Sequence, residues 1–402
     1  MQGLISARQT YILAIGLLTG TSTLVPVAAP AGADRWLAIL LAAGVALGYV
    51  RIWQALVEQA AVPAFLPPVG TDPAQPGPTT PDGIWSSLAG PVTGRLLASV
   101  YLLFFIHLEA MTLHEITTII GTVPLPRTPR PILSVLFLGL AVWAASQEIE
   151  GVARLAEVVI PLSFAASAIV LVLSFLTPHL VEIDRLLPVL DHGWRPLAQG
   201  LFSALAFPLG ELVTLLPFAA SYRHPQRWEG SVVRAIGLVG LLLIGLSIRN
   251  VGVLGVEEVS RLPFPGLVAV ELVQIGHFIE RIEALALFVW VNGSFVKLTV
   301  GLLAAQRSLL EMLGIPLSSP QPVSSRLLIA LAFTVGALST GLYKTVMDAT
   351  HFLSEAYPLY ALLFELVIPA VLLATLFRRR RQPVRADQPQ PTSRGGDGPG
   401  AQ

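Results

Sequence analysis

The run Ala206-Phe207-Pro208-Leu209-Gly210-Glu211 sets a proline, a glycine and a carboxylate side by side inside an otherwise apolar stretch. Proline supplies no N–H and collides with the preceding turn, and glycine lowers the cost of unwinding, so a helix through this run breaks. A second run behaves alike: Ile15-Gly16-Leu17-Leu18-Thr19-Gly20-Thr21-Ser22-Thr23-Leu24-Val25-Pro26 carries two glycines, four hydroxyls and a proline. Half-helices restarting near Thr23 and near Glu211 expose free N–H groups and a positive dipole end, which suit a small carboxylate. The opposing half-helix C-termini offer carbonyl oxygens to an ammonium or a cation. A zwitterionic amino acid meets both requirements, with Thr21 and Glu211 expected to face each other across a shared hollow. Glu211 itself has three readings: it coordinates an ammonium, carries a proton, or holds the break by accepting backbone N–H bonds.

Other ionisable residues lie in apolar stretches, where such groups are functional candidates. In Phe278-Ile279-Glu280-Arg281-Ile282-Glu283 and the helix beyond it, Glu283, Trp290 and Lys297 recur at steps of seven and share a stripe. Arg281, Phe288, Asn292 and Phe295 share the other side. Either one face looks into the bundle while Arg281 pairs with a neighbouring helix, or Arg281 and Glu283 form an ion pair at the membrane edge. Lys297, nearer the inner end, is expected to snorkel. Farther upstream, His107, His114 and Glu115 fall on one helical face, a pattern compatible with a metal or a proton relay. No second His/carboxylate cluster stands elsewhere to complete a metal site, so no metal and no other cofactor is expected. Hydrogen bonding across the bundle, or a ligand-lining role for part of that face, remains. His107, Arg281, Glu283 and Asn292 are therefore the candidates for coupling or gating. Glu109 needs a partner of its own, and Arg249 reads as a structural interface residue.

These residues need elements to hold them, and composition says which kind. The chain has 402 residues, 54% hydrophobic and only 12% charged, with 25 basic against 25 acidic side chains. A soluble chain carries about 25% charged residues, so this one lacks the polar surface of a globule and is an all-α integral membrane protein. The balanced charge gives nucleic acid nothing to bind, and zero cysteines excludes disulfides, thiolate metal sites and cysteine nucleophiles. About 20 apolar residues cross a bilayer. Ten stretches qualify: about 9–30, 35–57, 92–120, 131–147, 152–176, 196–222, 230–254, 279–304, 326–343 and 353–377. The two broken runs then open the first span of each five-span half, the pattern of an inverted-repeat transporter fold with a midplane site.

Arg378, Arg379, Arg380 and Arg381 close the last span and place the C-terminus in the cytoplasm, and ten spans place the N-terminus there too. Arg127 and Arg130 run against this scheme; Arg223, Arg227, Arg234, Arg307 and Arg326 agree with it. The start of the chain lacks the basic region and cleavage pattern of a signal peptide. One membrane domain is expected over 1–381, with 62–83 an irregular cytoplasmic linker rich in Pro and Gly, and 382–402 a disordered cytoplasmic tail. Residues 257–277 are too polar at their start to cross and are expected to lie over the outer face. No phosphate-cradling loop, G-x-S-x-G or H-E-x-x-H occurs, so an enzyme is not expected.

The order and spacing of several short pieces resemble the spore germination permease family, the B subunits of germinant receptors, within the amino acid–polyamine–organocation superfamily. They are Ile5-Ser6-Ala7-Arg8-Gln9, Gly16…Gly20-Thr21-Ser22…Pro26, Ala31-Gly32-Ala33-Asp34-Arg35-Trp36, Phe207-Pro208-Leu209-Gly210-Glu211, and Phe278-Ile279-Glu280-Arg281-Ile282-Glu283…Trp290…Phe295-Val296-Lys297. The last two spans fit by hydropathy alone. The 62–83 linker is longer and richer in proline than the family pattern, and Ala33 replaces an expected polar residue.

The resemblance implies ten transmembrane helices in a LeuT-type 5+5 inverted repeat, with helices 1 and 6 interrupted. It implies a bacterial cell membrane, that of the spore interior, an A-type membrane subunit and a C-type lipoprotein as partners, and a small amino acid as ligand. It implies a pocket lined by Gly20, Thr21 and Ser22 with Phe207, Gly210 and Glu211; their neighbours Thr23 and Pro208 complete the ligand-binding set. A germinant-binding subunit and an H⁺- or Na⁺-coupled amino acid transporter require the same pocket, and both readings stand at this point.

Overall fold

Helix α1 (Ala7–Thr19) starts from a reciprocal cap: Gln9 N–H donates to the Ser6 hydroxyl at 3.2 Å, and Ser6 N–H donates to the Gln9 side chain at 2.8 Å. Just ahead of it, Ile5 N–H donates to Ser221 O at 2.8 Å and Arg223 N–H to Ile5 O at 3.0 Å. The beginning of the first span is thus tied to the end of the sixth. The computed structural model describes residues 4–65, 83–273, 282–317 and 321–381. The expected tail at 382–402, most of the expected linker and Arg281 lie outside the described residues.

Among the described residues, eight helices are long and apolar enough to cross a membrane: Ala29–Ala61, Pro91–Thr122, Glu148–Leu176, Trp194–Ser221, Pro225–Leu254, Glu283–Leu313, Val323–Gly341 and Met347–Arg378. The other two expected spans correspond to shorter helices, α1 and Arg130–Ala145. In chain order the helices after α1 are α2 (Arg35–Phe65), α3 (Ile84–Ala89), α4 (Pro91–Thr122), α5 (Arg130–Ala145) and α6 (Glu148–Leu176). Then follow α7 (Trp194–Ala204), α8 (Trp228–Leu254), α9 (Val256–Arg261), α10 (Pro265–Glu271), α11 (Glu283–Leu313) and α12 (Gln321–Gly341). The last span is built from α13 (Val346–His351), α14 (Tyr357–Leu362) and α15 (Ile368–Arg381), joined by single wide turns. Among the described residues the Ile5–Tyr222 bridge is the sole β pairing.

Helix α11 is the hub. Every residue from Val296 to Gln306 is buried, and the helix packs on α1, α4, α5, α6 and α12. A helix buried all round belongs at the centre of a bundle. The outer helices instead expose Leu96, Val135, Val158, Leu241 and Phe333, a surface that only lipid can cover. Near its far end, Arg307 donates to Pro217 O at 3.2 Å and to Ser221 Oγ at 3.0 Å, holding α11 against the second half of the sixth span.

Three expectations change. The first span does not restart as a helix near Thr23: after Thr19 the chain runs in turns to Ala28, which takes φ 55°, and a 3₁₀ turn at Ala29–Asp34 leads directly into α2. Around the stop, Thr19 donates to Ile15 O at 2.8 Å, and Ser22, beyond the last helical residue, donates back to Leu18 O, a carbonyl left open where α1 ends. Residues 62–65, placed in the linker by the sequence, are helical, because α2 runs through Phe65. Residues 257–277 do more than lie over the surface: α10 is packed inward, with Gly266 N–H donating to Leu24 O at 3.3 Å and Arg249 donating to Gly266 O at 3.0 Å. That short helix braces the unwound part of the first span.

Candidate ligand site

The two breaks meet at one ammonium. Helix α7 ends at Ala204, Phe207 adopts extended backbone (φ −126°, ψ 120°) before a cis Phe207–Pro208 peptide, and the chain resumes as a 3₁₀ helix over Gly210–Ser221. The break turns Glu211 inward, where its Oε2 lies 2.8 Å from Lys297 Nζ; the two side chains are 2% and 3% exposed. The same Nζ donates to Thr21 Oγ1 at 3.1 Å and stands 5.2 Å from the centre of the Phe207 ring. At the C-terminal end of α1, Gly20 O accepts from Ser294 Oγ at 2.7 Å. A cation at a helix C-terminus is favoured by the helix dipole, so α1, α11 and the sixth span all contribute to holding Lys297 in place.

This arrangement corrects the expectation for Lys297, which does not snorkel. It is sealed inside the bundle because three acceptors of its charge converge there. Thr21 and Glu211 do lie across from each other, but the lysine fills the space expected to be hollow. Close backbone approach makes this possible: a Cβ on Gly293 would come within 2.9 Å of Gly20 Cα, so α1 and α11 cross glycine on glycine.

Around this pair stand groups that sequence reasoning left without a role. Tyr357 Oη donates toward Glu211 Oε1 at 3.5 Å and toward Glu365 Oε1 at 3.4 Å. The Glu365 carboxylate occupies the place where a Cβ on Gly210 would fall, and the Glu109 carboxylate occupies the corresponding place on Gly301. Both acids are fully buried. Neither Glu109 oxygen, nor Glu365 Oε2, finds a hydrogen-bond donor among the described residues. An ionisable residue in an apolar span was signal enough to mark Glu365, and the Glu283–Trp290–Lys297 stripe already carried the lysine.

The remaining candidates divide. Ser22 turns back onto α1, Thr23 Oγ1 is buried without a partner among the described residues, and Pro208 lies within the break. His107 bonds Tyr360 Oη at 2.6 Å on α14, and His114 Nδ1 bonds Ser339 O at 3.0 Å on α12, so the shared face of these two histidines serves two different neighbours. Glu115 lies within reach of the Thr21 hydroxyl and borders a small cavity with His114 and Thr118. Glu283 is half-buried at the first turn of α11, four turns from Lys297 and so roughly 20 Å away along the axis. Asn292 is half-buried beside Gly293, its Nδ2 unpartnered among the described residues. A cavity of about 740 Å³ opens between the unwound end of the first span, α7, α9 and the last span; Pro26, Gln199, Phe202, Ser354, Glu355 and Leu359 line it.

Comparison with known proteins agrees with this architecture. Residues 81–345 match the family described as "Spore germination protein". Spore germination protein KB of Bacillus subtilis (strain 168) is 23% identical over 393 residues, which cover 96% of this chain and 98% of the relative. Spore germination protein XB of Bacillus anthracis is 26% identical over 210 residues, 51% of this chain and 56% of the relative. Among solved structures, MhsT in complex with L-phenylalanine aligns at TM-score 0.62 and 13% identity, covering 94% of this chain and 99% of MhsT. Mhp1, a nucleobase-cation-symport-1 family transporter in a closed conformation with bromovinylhydantoin bound, aligns at 0.60 and 16%, covering 95% of this chain and 80% of Mhp1. At such identities the likeness establishes the fold, the LeuT-type bundle.

Proposed function

Because the chain belongs to the spore germination protein family, we propose that it is the germinant-binding B-type subunit of a spore receptor, recognising a small amino acid where its two helix breaks meet. The observation that carries this reading is the Lys297 ammonium seated on Glu211 and Thr21. An α-ammonium has the same charge and the same donor geometry, so a zwitterion entering the site competes with Lys297 for Glu211. Its carboxylate then finds the displaced lysine and the free N–H groups at the start of the Gly210–Ser221 helix. The lysine thus serves as an internal stand-in for ligand.

Signalling follows from differential affinity: ligand favours the conformation in which Lys297 has left Glu211, and a near-complete switch requires roughly 5 kcal/mol of preference. In this reading an A-type membrane subunit and a C-type lipoprotein receive the change, the membrane is the spore's inner one, and both termini face the cytoplasm. The cavity beside Phe202 and Glu355 supplies the approach to the site. His107, through Tyr360, Asn292 beside the Gly20–Gly293 crossing, Glu283 at the start of α11, and Arg281 are the proposed gating residues.

A second reading, an H⁺- or Na⁺-coupled amino acid transporter, is favoured by the shared fold with transporters such as Mhp1 and MhsT. Purified chain in lipid vesicles separates the two. Saturable binding from a panel of compact labelled amino acids, without accumulation, fits the receptor subunit. Concentrative uptake that depends on an H⁺ or Na⁺ gradient assigns the transporter. No binding by any member of the panel, to wild type, overturns both.

A further inference from the structure

Four carboxyl groups, Glu109, Glu115, Glu211 and Glu365, face one ammonium, and among the described residues only Glu211 pairs with it. Glu115 lies within reach of the Thr21 hydroxyl, while Glu109 and Glu365 flank the pair from opposite elements. Glu109 descends from α4 onto Gly301, one turn beyond Lys297 on α11, and Glu365 reaches from the last span onto Gly210, the residue before Glu211. Both approaches depend on glycine, since any side chain at 210 or 301 would fill the space the carboxyl occupies. The site is therefore built to admit two further acids.

We infer that Glu109 and Glu365 are two proton-binding sites, each holding its proton at neutral pH, and that Glu211 alone is ionised as the partner of Lys297. The geometry requires it. A carboxylate with no donor on either oxygen, fully buried in a lipid-embedded bundle, has nothing to replace its hydration and takes up a proton instead. Glu109 is in that position on both oxygens and Glu365 on one, among the described residues. Nor, among the described residues, do the surroundings supply a second cation. The charged and titratable groups facing Glu109 are Lys297 and Glu211. Those facing Glu365 are Glu211, Lys297 and the phenols Tyr49, Tyr101, Tyr357 and Tyr360. Among Glu109, Glu211 and Glu365, one ammonium balances one carboxylate and two protons balance the rest; Glu115 has the Thr21 hydroxyl as its donor.

Infrared spectroscopy of the full chain in lipid vesicles at neutral pH tests the protons without any ligand. The wild type is expected to show the C=O stretch of protonated carboxylic acids, with part of the band lost in Glu109→Gln and another part in Glu365→Gln. Lys297→Gln is expected to enlarge the band, because Glu211 then loses its cation and takes a proton. A band absent from the wild type, or unchanged in both Gln variants, overturns the inference. So does a shift of ionised-carboxylate bands when sodium is replaced by a bulky organic cation, which would show a metal ion in place of the protons. The Gln variants keep the shape and hydrogen-bonding capacity of the acids, and if Lys297→Gln does not fold they decide the question alone.

Discussion

Lys297 and Glu211, 86 residues apart, form an ion pair 2.8 Å long in which neither side chain is more than 3% exposed. Such a pair must recover the cost of taking two charges out of water through its mutual attraction and through the hydrogen bonds around it. Thr21, the Phe207 ring and the C-terminal end of α1 supply the rest of the lysine's surroundings. The pair locks the hub helix to both breaks, and four expectations follow from its construction.

Removing Lys297 leaves Glu211 without its cation, and holding a proton on that carboxyl at neutral pH, with the pair's hydrogen bonds lost, costs folding free energy. Lys297→Met is expected to cost about 3–5 kcal/mol, while Lys297→Met with Glu211→Leu recovers most of that loss. Unfolding of the detergent-solubilised variants, followed by tryptophan fluorescence, measures both; strictly additive losses would show that the two residues do not act as a pair.

Gly210 is the residue whose missing side chain admits Glu365. Gly210→Ala is expected to destabilise by about 1–3 kcal/mol through overpacking, because the new methyl falls where the Glu365 carboxylate sits. Glu365→Ala vacates that space, so the double variant is expected to lose less than the two single losses combined. Thermal unfolding of all three variants closes the cycle.

The glycine crossing of α1 and α11 behaves in the same way, with a built-in control. Gly293→Ala sets a methyl against Gly20 Cα at 2.9 Å and forces the helices apart, whereas Gly48→Ala in α2 meets nothing within 4 Å. A loss of about 1–3 kcal/mol is expected for the first, and no loss, or a gain of about 0.5–1 kcal/mol, for the second. Equal melting temperatures for the two would contradict the tight crossing.

Glu211→Gln keeps the shape of the side chain and removes the charge that a ligand ammonium seeks. It is expected to abolish amino acid binding while the chain remains folded, with Tyr357→Phe only weakening it, since the Tyr357 hydroxyl stands 3.5 Å from the carboxylate. Equilibrium binding to vesicle-reconstituted protein, beside a unfolding curve for each variant, reads the two effects separately. Binding unchanged in Glu211→Gln would remove the sixth-span break from the recognition of ligand.

Much of this protein is written in local residue patterns. Proline and glycine at Pro208 and Gly210 break a helix in any surroundings, and the structure breaks there. The apolar stretches became helices because backbone groups in lipid can be satisfied only within the segment. The first span was harder to read. Its glycines and hydroxyls announced an interruption but not its length: turns run on from Thr19 to Ala28, with α10 braced against Leu24, and no second half-helix follows at Thr23.

The sequence by itself determined the class of the molecule, the two interruptions and the presence of Glu211 at one of them, since hydropathy, proline and glycine act within a few residues of where they stand. Only the tertiary structure decided what Lys297, Glu109 and Glu365 do. A lysine stem reaches outward to the interface or inward to a carboxylate with equal ease, and the choice depends on how α11 is rotated against α1, α4 and the last span. That rotation is fixed by packing at sites such as Gly20 on Gly293, between residues far apart in the chain, which no local pattern encodes.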